Sequence, residues 1–212
     1  MRGVMLLLGV LAMVVGAFAY ADPPAAGAPD VAALYLANCV ACHGPVLRGR
    51  PGVPNLRDTV WYWGGSAEAI ARTLRSGIRG PATETRAGVM PGFRTNAAEF
   101  TPADVADLAD YVRHLGGRKV SKVVLERAEL NWAWCTDCHA EDGSGKQDLG
   151  APDLRDREWL HDGSKQTIAR VIAEGSAEKC PPWGEALGDL AIRAIAADLA
   201  AGGGAADRTG AK

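Results

Sequence analysis

The pattern Cys-x-x-Cys-His occurs twice in this chain of 212 residues, once in each half, at residues 39–43 and 135–139. Two thiols one helical turn apart can each add to a vinyl group of haem, and the adjacent imidazole then lies below the iron as its proximal ligand. A zinc site would need four convergent ligands, and a redox dithiol needs no trailing histidine. We therefore predict two covalently bound haem c groups. The expected attachment residues and proximal ligands are Cys39, Cys42, His43, Cys135, Cys138 and His139.

The two motifs belong to an internal duplication. The segment Pro54–Asp58 recurs as Pro152–Asp156, 98 residues later, and Trp61 matches Trp159 at the same offset. Repetition at a fixed offset indicates that each half has the same architecture.

Helix start signals recur in both halves, and no alternating strand pattern competes with them. Thr101-Pro102-x-Asp104, for example, combines an N-cap residue, a proline at the first helical position and an early acid. We predict an all-α fold of two tandem units, each with three main helices and each folding separately around its own haem. Other expected helix starts are Asp30, Ser66, Ser121, Ser164 and Asp189. The predicted boundaries are residues 28–117 and 120–201 for the units, 116–122 for the linker and 202–212 for a flexible tail.

Residues 1–21 have the pattern of a targeting segment. One arginine precedes the apolar run Val4–Phe18, and Ala19-Tyr20-Ala21 fits the small-x-small rule for cleavage. The run is short for a bilayer span, which needs roughly 20 residues, so a cleaved signal peptide is the first interpretation and an uncleaved membrane tether through residues 4–20 the second. Both predict a periplasmic location. The net charge of −2 gives no reason to expect a nucleic-acid partner.

Met90 is the only methionine after residue 21, and it precedes a proline in the loop before the last helix of the first half. Methionine is a frequent sixth ligand in electron-carrying cytochromes and raises the reduction potential. We expect Met90 to bind the first iron opposite His43, with a role as core filler as the alternative.

Cys180 occupies the place of Met90 in the second half. Met90-Pro91-Gly92-Phe93 becomes Cys180-Pro181-Pro182-Trp183, in a loop that is eight residues shorter. A thiolate opposite His139 would stabilise ferric iron and lower the potential of the second haem. A buried free thiol, an intermolecular disulfide and a five-coordinate haem are the alternatives. His161 could contact a haem propionate or, less directly, bind the second iron.

The order of these features resembles class I cytochrome c, and their tandem arrangement is similar to the dihaem subunit of the C-family haem–copper oxidases. Pro54-Asn55-Leu56, Pro152-Asp153-Leu154 and Pro182-Trp183-Gly184 carry this likeness beyond the haem motifs. The resemblance implies two tandem cytochrome c domains, a membrane anchor and methionine on both haems. The chain departs from this resemblance in two respects: Cys180 replaces the second methionine, and its apolar segment is short for a membrane anchor. A His/Cys pair is similar, in ligand chemistry only, to cytochromes that act on sulfur compounds.

Together these features favour a dihaem cytochrome that transfers electrons in a periplasmic or membrane-associated respiratory chain, with haems of unequal potential. The expected partners are redox proteins such as a membrane oxidase, a cytochrome complex or a dehydrogenase. No catalytic constellation is visible beyond the haem motifs. The alternative is a dihaem dehydrogenase that oxidises a small sulfur compound at the Cys180 haem. Lys179 and Arg170 are candidates for a basic pocket there, or ordinary surface charges.

Overall fold

The computed structural model describes residues 27–94, 99–156 and 158–202. The helices in these ranges are α1 (Val31–Asn38), α2 (Val40–His43), α3 (Ala67–Ser76), α4 (Pro102–Leu115), α5 (Lys122–Trp132), α6 (Thr136–His139), α7 (Lys165–Glu174) and α8 (Gly184–Ala200). Extended pairing there is limited to isolated bridges, which confirms the all-α prediction. None of these helices is long and apolar enough to cross a membrane. The predicted targeting segment, and all but residue 202 of the predicted tail, lie outside the described residues.

The helices begin where the sequence predicts. Asp30, Ser66 and Ser164 each accept a hydrogen bond from the backbone N–H three residues later. Thr101 and Asp104 form a reciprocal capping box, which satisfies two N–H groups at the start of α4. Ser121 precedes α5 without a side-chain cap.

Helix α8 has a break near its start. Gly188 adopts φ 70° and ψ 165°, which separates a first turn from the main helix that begins at Asp189. The left-handed φ requires a residue without a β-carbon. The predicted start at Asp189 is therefore the start of the main part of α8.

The last helices of the two halves are exchanged. Helix α8 packs against α3 and α1, whereas α4 packs against α5 and α7. The first core consists of Tyr35, Leu47, Ile70, Ala71, Ile192, Ile195, Ala196 and Leu199. The second core consists of Phe93, Phe100, Val105, Leu108, Ala109, Val112, Ala128, Trp132, Ile168 and Ile172. Each core thus takes helices from both halves, which differs from the predicted arrangement, in which each half packs around its own core.

Polar contacts between the halves follow the same exchange. Tyr35 Oη donates to Asp198 Oδ2 of α8 at 2.9 Å. In the other core, Lys165 Nζ lies 2.6 Å from Asp110 Oδ2 of α4. The duplication itself explains why the sequence does not reveal the exchange. Because α3 and α7 are equivalent helices with equivalent apolar faces, the pattern of α4 or α8 fits either of them.

Candidate functional site

The first Cys-x-x-Cys-His motif forms a short helical turn around α2. Cys39 is partly buried and Cys42 is exposed, and both are free thiols. His43 Nδ1 lies 2.9 Å from the carbonyl oxygen of Pro54. A hydrogen bond from Nδ1–H to this carbonyl fixes the tautomer and leaves Nε2 as the electron-pair donor for a metal. Burial lowers the pKa of His43, which favours the neutral ligand form.

The second motif repeats this geometry around α6. His139 is 7% exposed, and its Nδ1 lies 3.1 Å from the carbonyl oxygen of Pro152. Burial also lowers the pKa of His139. Because Pro54 and Pro152 are equivalent positions of the duplication, the repeated Pro-x-Leu segment has a clear role: its first carbonyl orients the histidine.

Cys180 lies beside the first motif. Its backbone pairs with Ile78, with N–H to O distances of 2.8 and 3.1 Å, and Trp183 N–H donates to Leu74 O at the end of α3. Burial raises the pKa of the Cys180 thiol, and the nearby Cys42 thiol raises it further. The pKa of Cys39 rises to about 11 through burial and then through the proximity of Cys180 and Cys42. The three thiols therefore lie near one another.

Met90 lies on the side of the second motif, in the arrangement equivalent to that of Cys180 on the side of the first motif. Its backbone pairs with Ser176, with N–H to O distances of 3.0 and 3.2 Å, and Phe93 N–H donates to Ile172 O at 2.9 Å. Its side chain packs against the second core, as does Cys135. Ser176 is the equivalent of Ile78 in the duplication, so the two contacts are related by the internal symmetry.

The contacts in the structure differ from the predicted pairing of Met90 with His43 and of Cys180 with His139. The structure groups Cys180 with the first motif and Met90 with the second. The physical reason is the exchange of α4 and α8, since each of these residues lies in the loop that leads into the exchanged helix and is carried with it.

The other predicted polar residues do not build a substrate pocket at Cys180. Arg170 lies on α7 beside the second core and pairs with Glu174 at 3.8 Å, and Lys179 is exposed. His161 Nε2 lies 3.0 Å from Glu178 Oε1.

Two arginines near the sulfur-bearing loops were not singled out from the sequence. Arg86 lies over the ring of Trp63, 5.2 Å from its centroid, and donates to Thr73 Oγ1 at 2.7 Å. Arg79 donates to carbonyls of two different loops. Their position gives the only sequence signal, since both lie in the loop before Met90, which is eight residues longer than its counterpart before Cys180.

The residues of both pockets fit a covalently attached haem. Each pocket has two free thiols one helical turn apart, an imidazole with a fixed tautomer and a sulfur side chain from the other half. Over the described part of the chain, no three His, Cys, Asp or Glu side chains converge as they would around a bare metal ion. One imidazole and one sulfur side chain at each site suit a macrocycle that supplies the remaining iron ligands itself.

Comparison with known proteins agrees with this chemistry. Residues 28–116 match the family described as cytochrome c, and residues 124–197 match the family described as cytochrome C oxidase, cbb3-type, subunit III. The cbb3-type cytochrome c oxidase subunit FixP of Azorhizobium caulinodans is 38% identical over 160 residues, which are 74% of this chain and 54% of that protein. Subunit CcoP of Cereibacter sphaeroides is 34% identical over 167 residues, or 78% of this chain and 57% of that protein. The chain spans a little over half the length of these curated relatives.

Proposed function

Because the chain belongs to the c-type cytochromes, with two tandem cytochrome c domains that bind two covalent haem c groups, we propose that it transfers electrons in a respiratory chain outside the cytoplasm. The observation that carries this proposal is the set of donor groups at each of the two motifs. Each offers attachment thiols, an oriented histidine and a sulfur donor from the other half.

We assign one ligand set to each haem, and each set draws on both halves. Cys39 and Cys42 attach the first haem, with His43 and Cys180 as axial ligands. For the second haem, the attachment residues are Cys135 and Cys138, and the axial ligands are His139 and Met90. The backbone pairing of Cys180 with α3's end and of Met90 with α7's end supports this assignment.

The two haems should differ in reduction potential. A bound haem supplies an iron that accepts and releases one electron, and a thiolate favours its ferric state more than a thioether does. The haem with Cys180 should therefore have the lower potential. Under the crossed assignment this is the first haem, the reverse of the order that the sequence suggested. An electron that enters at the Cys180 side is then driven to the Met90 side.

A membrane oxidase is the partner that we propose. The relatives are subunits of cbb3-type cytochrome c oxidases, and they align with 74% and 78% of this chain. The targeting pattern of residues 1–21 supports a periplasmic location, either free or tethered.

The test combines mass and electron transfer. The protein matured in a host with a haem c attachment system should gain the mass of two haems and keep its colour on acid–acetone extraction. The reduced protein, mixed with membranes that contain a cbb3-type oxidase, should be reoxidised in a cyanide-sensitive reaction. Membranes from a strain without that oxidase are the control. Equal rates with both membranes would contradict the oxidase partner, and rapid reduction by a small sulfur anion would favour the dehydrogenase instead.

A further inference from the structure

Arg79 connects the two loops that carry Met90 and Cys180. Its Nε donates to the carbonyl oxygen of Gly88 at 2.6 Å, and its Nη1 donates to the carbonyl oxygen of Glu178 at 2.5 Å. Gly88 and Glu178 each lie two residues before the sulfur residue of their own loop. A single guanidinium thus holds both loops at the same distance along the chain from their sulfur atoms.

The backbone of Arg79 is held in an unusual conformation. Its φ is 50°, in the left-handed region that a β-carbon disfavours. Its N–H donates to the carbonyl of Arg86 at 2.8 Å, and the preceding residue, Ile78, pairs with Cys180. Such conformations persist where the surroundings over-determine them, and they cluster at ligand clamps and functional sites. The equivalent position in the second half is Ala177, so the connection exists once.

The planar fork of arginine suits this position. Its N–H groups point in fixed directions, so one side chain can reach two carbonyls on separate loops, whereas the lysine ammonium is a compact charge on a flexible stem. The Glu178 carboxylate is engaged by His161 and Ser176. Arg79 therefore contacts this loop through the main chain, where a hydrogen bond restrains backbone position directly.

We propose that Arg79 is a positioning residue that sets the placement of the sixth ligand at both haem sites at once. The proposal rests on the ligand sets assigned above. Loss of the fork frees both loops to move, so that both sulfur atoms leave their irons more readily.

The test uses three variants of the complete two-haem protein. Arg79→Gln removes the charge and the fork, and Arg79→Lys keeps the charge and removes the fork. Arg86→Gln is the matched control, since it removes another partly buried arginine of the Met90 loop, and the side chain of Arg86 contacts α3 and Trp63 rather than the carbonyls near Met90 and Cys180. The measurements are the ferric Met–iron absorption band, the low-spin ferric resonance signal of the thiolate-bound haem, and the rate at which added imidazole displaces each sixth ligand.

Both Arg79 variants should accelerate imidazole binding at both haems by at least tenfold, and both spectroscopic signals should weaken. Arg86→Gln should leave the rates within twofold of wild type. An effect of Arg79→Gln that is absent from Arg79→Lys would reduce the role of Arg79 to its charge, and a change at one haem only would refute the shared role. Wild-type protein without the Met–iron band or the thiolate signal would instead refute the ligand sets, independently of Arg79. If Arg79→Gln does not accumulate, Arg79→Lys alone is the test. Faster imidazole binding at both haems then supports the shared role, and unchanged rates contradict it.

Discussion

Ile195 and Leu108 test the exchanged helices because they occupy matching positions of α8 and α4. Each side chain is 1% exposed, Ile195 in the first core and Leu108 in the second. Truncation of a buried Ile or Leu to Ala costs about 2–5 kcal/mol, from lost burial and from the cavity left behind. A domain of ordinary stability has about 5–15 kcal/mol in total. Ile195→Ala and Leu108→Ala should therefore both fold, with unfolding midpoints well below that of wild type.

The two variants should differ in which haem site they loosen. Ile195 follows the second haem motif in sequence but packs against α1 and α3, so Ile195→Ala should loosen the pocket of His43 and Cys180. Leu108→Ala should loosen the pocket of His139 and Met90.

The assay is the rate of imidazole binding to each ferric haem in buffer without denaturant. Loss of the Met–iron band reports the Met90 site, and loss of the thiolate resonance signal reports the Cys180 site. Local opening that becomes easier by about 1.4 kcal/mol changes such a rate tenfold. We expect at least this change at one site in each variant, with the sites reversed between the two. The exchange itself is tested by double-mutant cycles, in which Ile195→Ala should couple with Ile70→Ala of α3; coupling with Ile168→Ala of α7 instead would refute the exchange of the last helices.

Two further predictions follow from the crossed arrangement. Fragments of the chain separated near Arg118 should each bind one haem but lack the sixth ligand of that haem. Mixing the two fragments should restore the Met–iron band and the helical circular dichroism. A fragment of residues 28–117 that shows the Met–iron band by itself would contradict the arrangement. Cys180→Met should raise the lower of the two potentials by at least a tenfold change in its one-electron equilibrium, about 59 mV. Redox titration measures both waves, Cys180→Ser is the companion variant, and unchanged potentials in it would show that Cys180 is not a ligand.

The sequence was sufficient to predict the elements and the chemistry of each motif. Helix starts at Asp30, Ser66, Thr101 and Ser164 are decided within a few residues, by hydrogen bonds that a local pattern encodes. The same holds for the spacing of Cys39 and Cys42, which is set by one helical turn.

The sequence was not sufficient to predict which half supplies the last helix of each core. Ile70 on α3 and Ile168 on α7 are equivalent residues of equivalent helices, so both present the same partner surface to α4 or α8. A choice between two equal surfaces depends on the path of the connecting loops, and a pattern read along the chain contains no such information. The extra eight residues before Met90 were visible in the sequence, but the contact that makes use of them, from Arg79 to Gly88, depends on the tertiary structure.

The exchange also determines the order in which the two cores can close after export, given the proposed location outside the cytoplasm. The second core needs α4, α5 and α7, all of which have emerged once the chain has been exported as far as Glu174. The first core needs Ile192, Ile195 and Leu199 of α8, so it stays open until α8 has emerged. Segments with incomplete cores expose apolar surface in the meantime. The first haem motif to emerge is thus the last to be enclosed, and Cys39 and Cys42 stay accessible for haem attachment until α8 arrives.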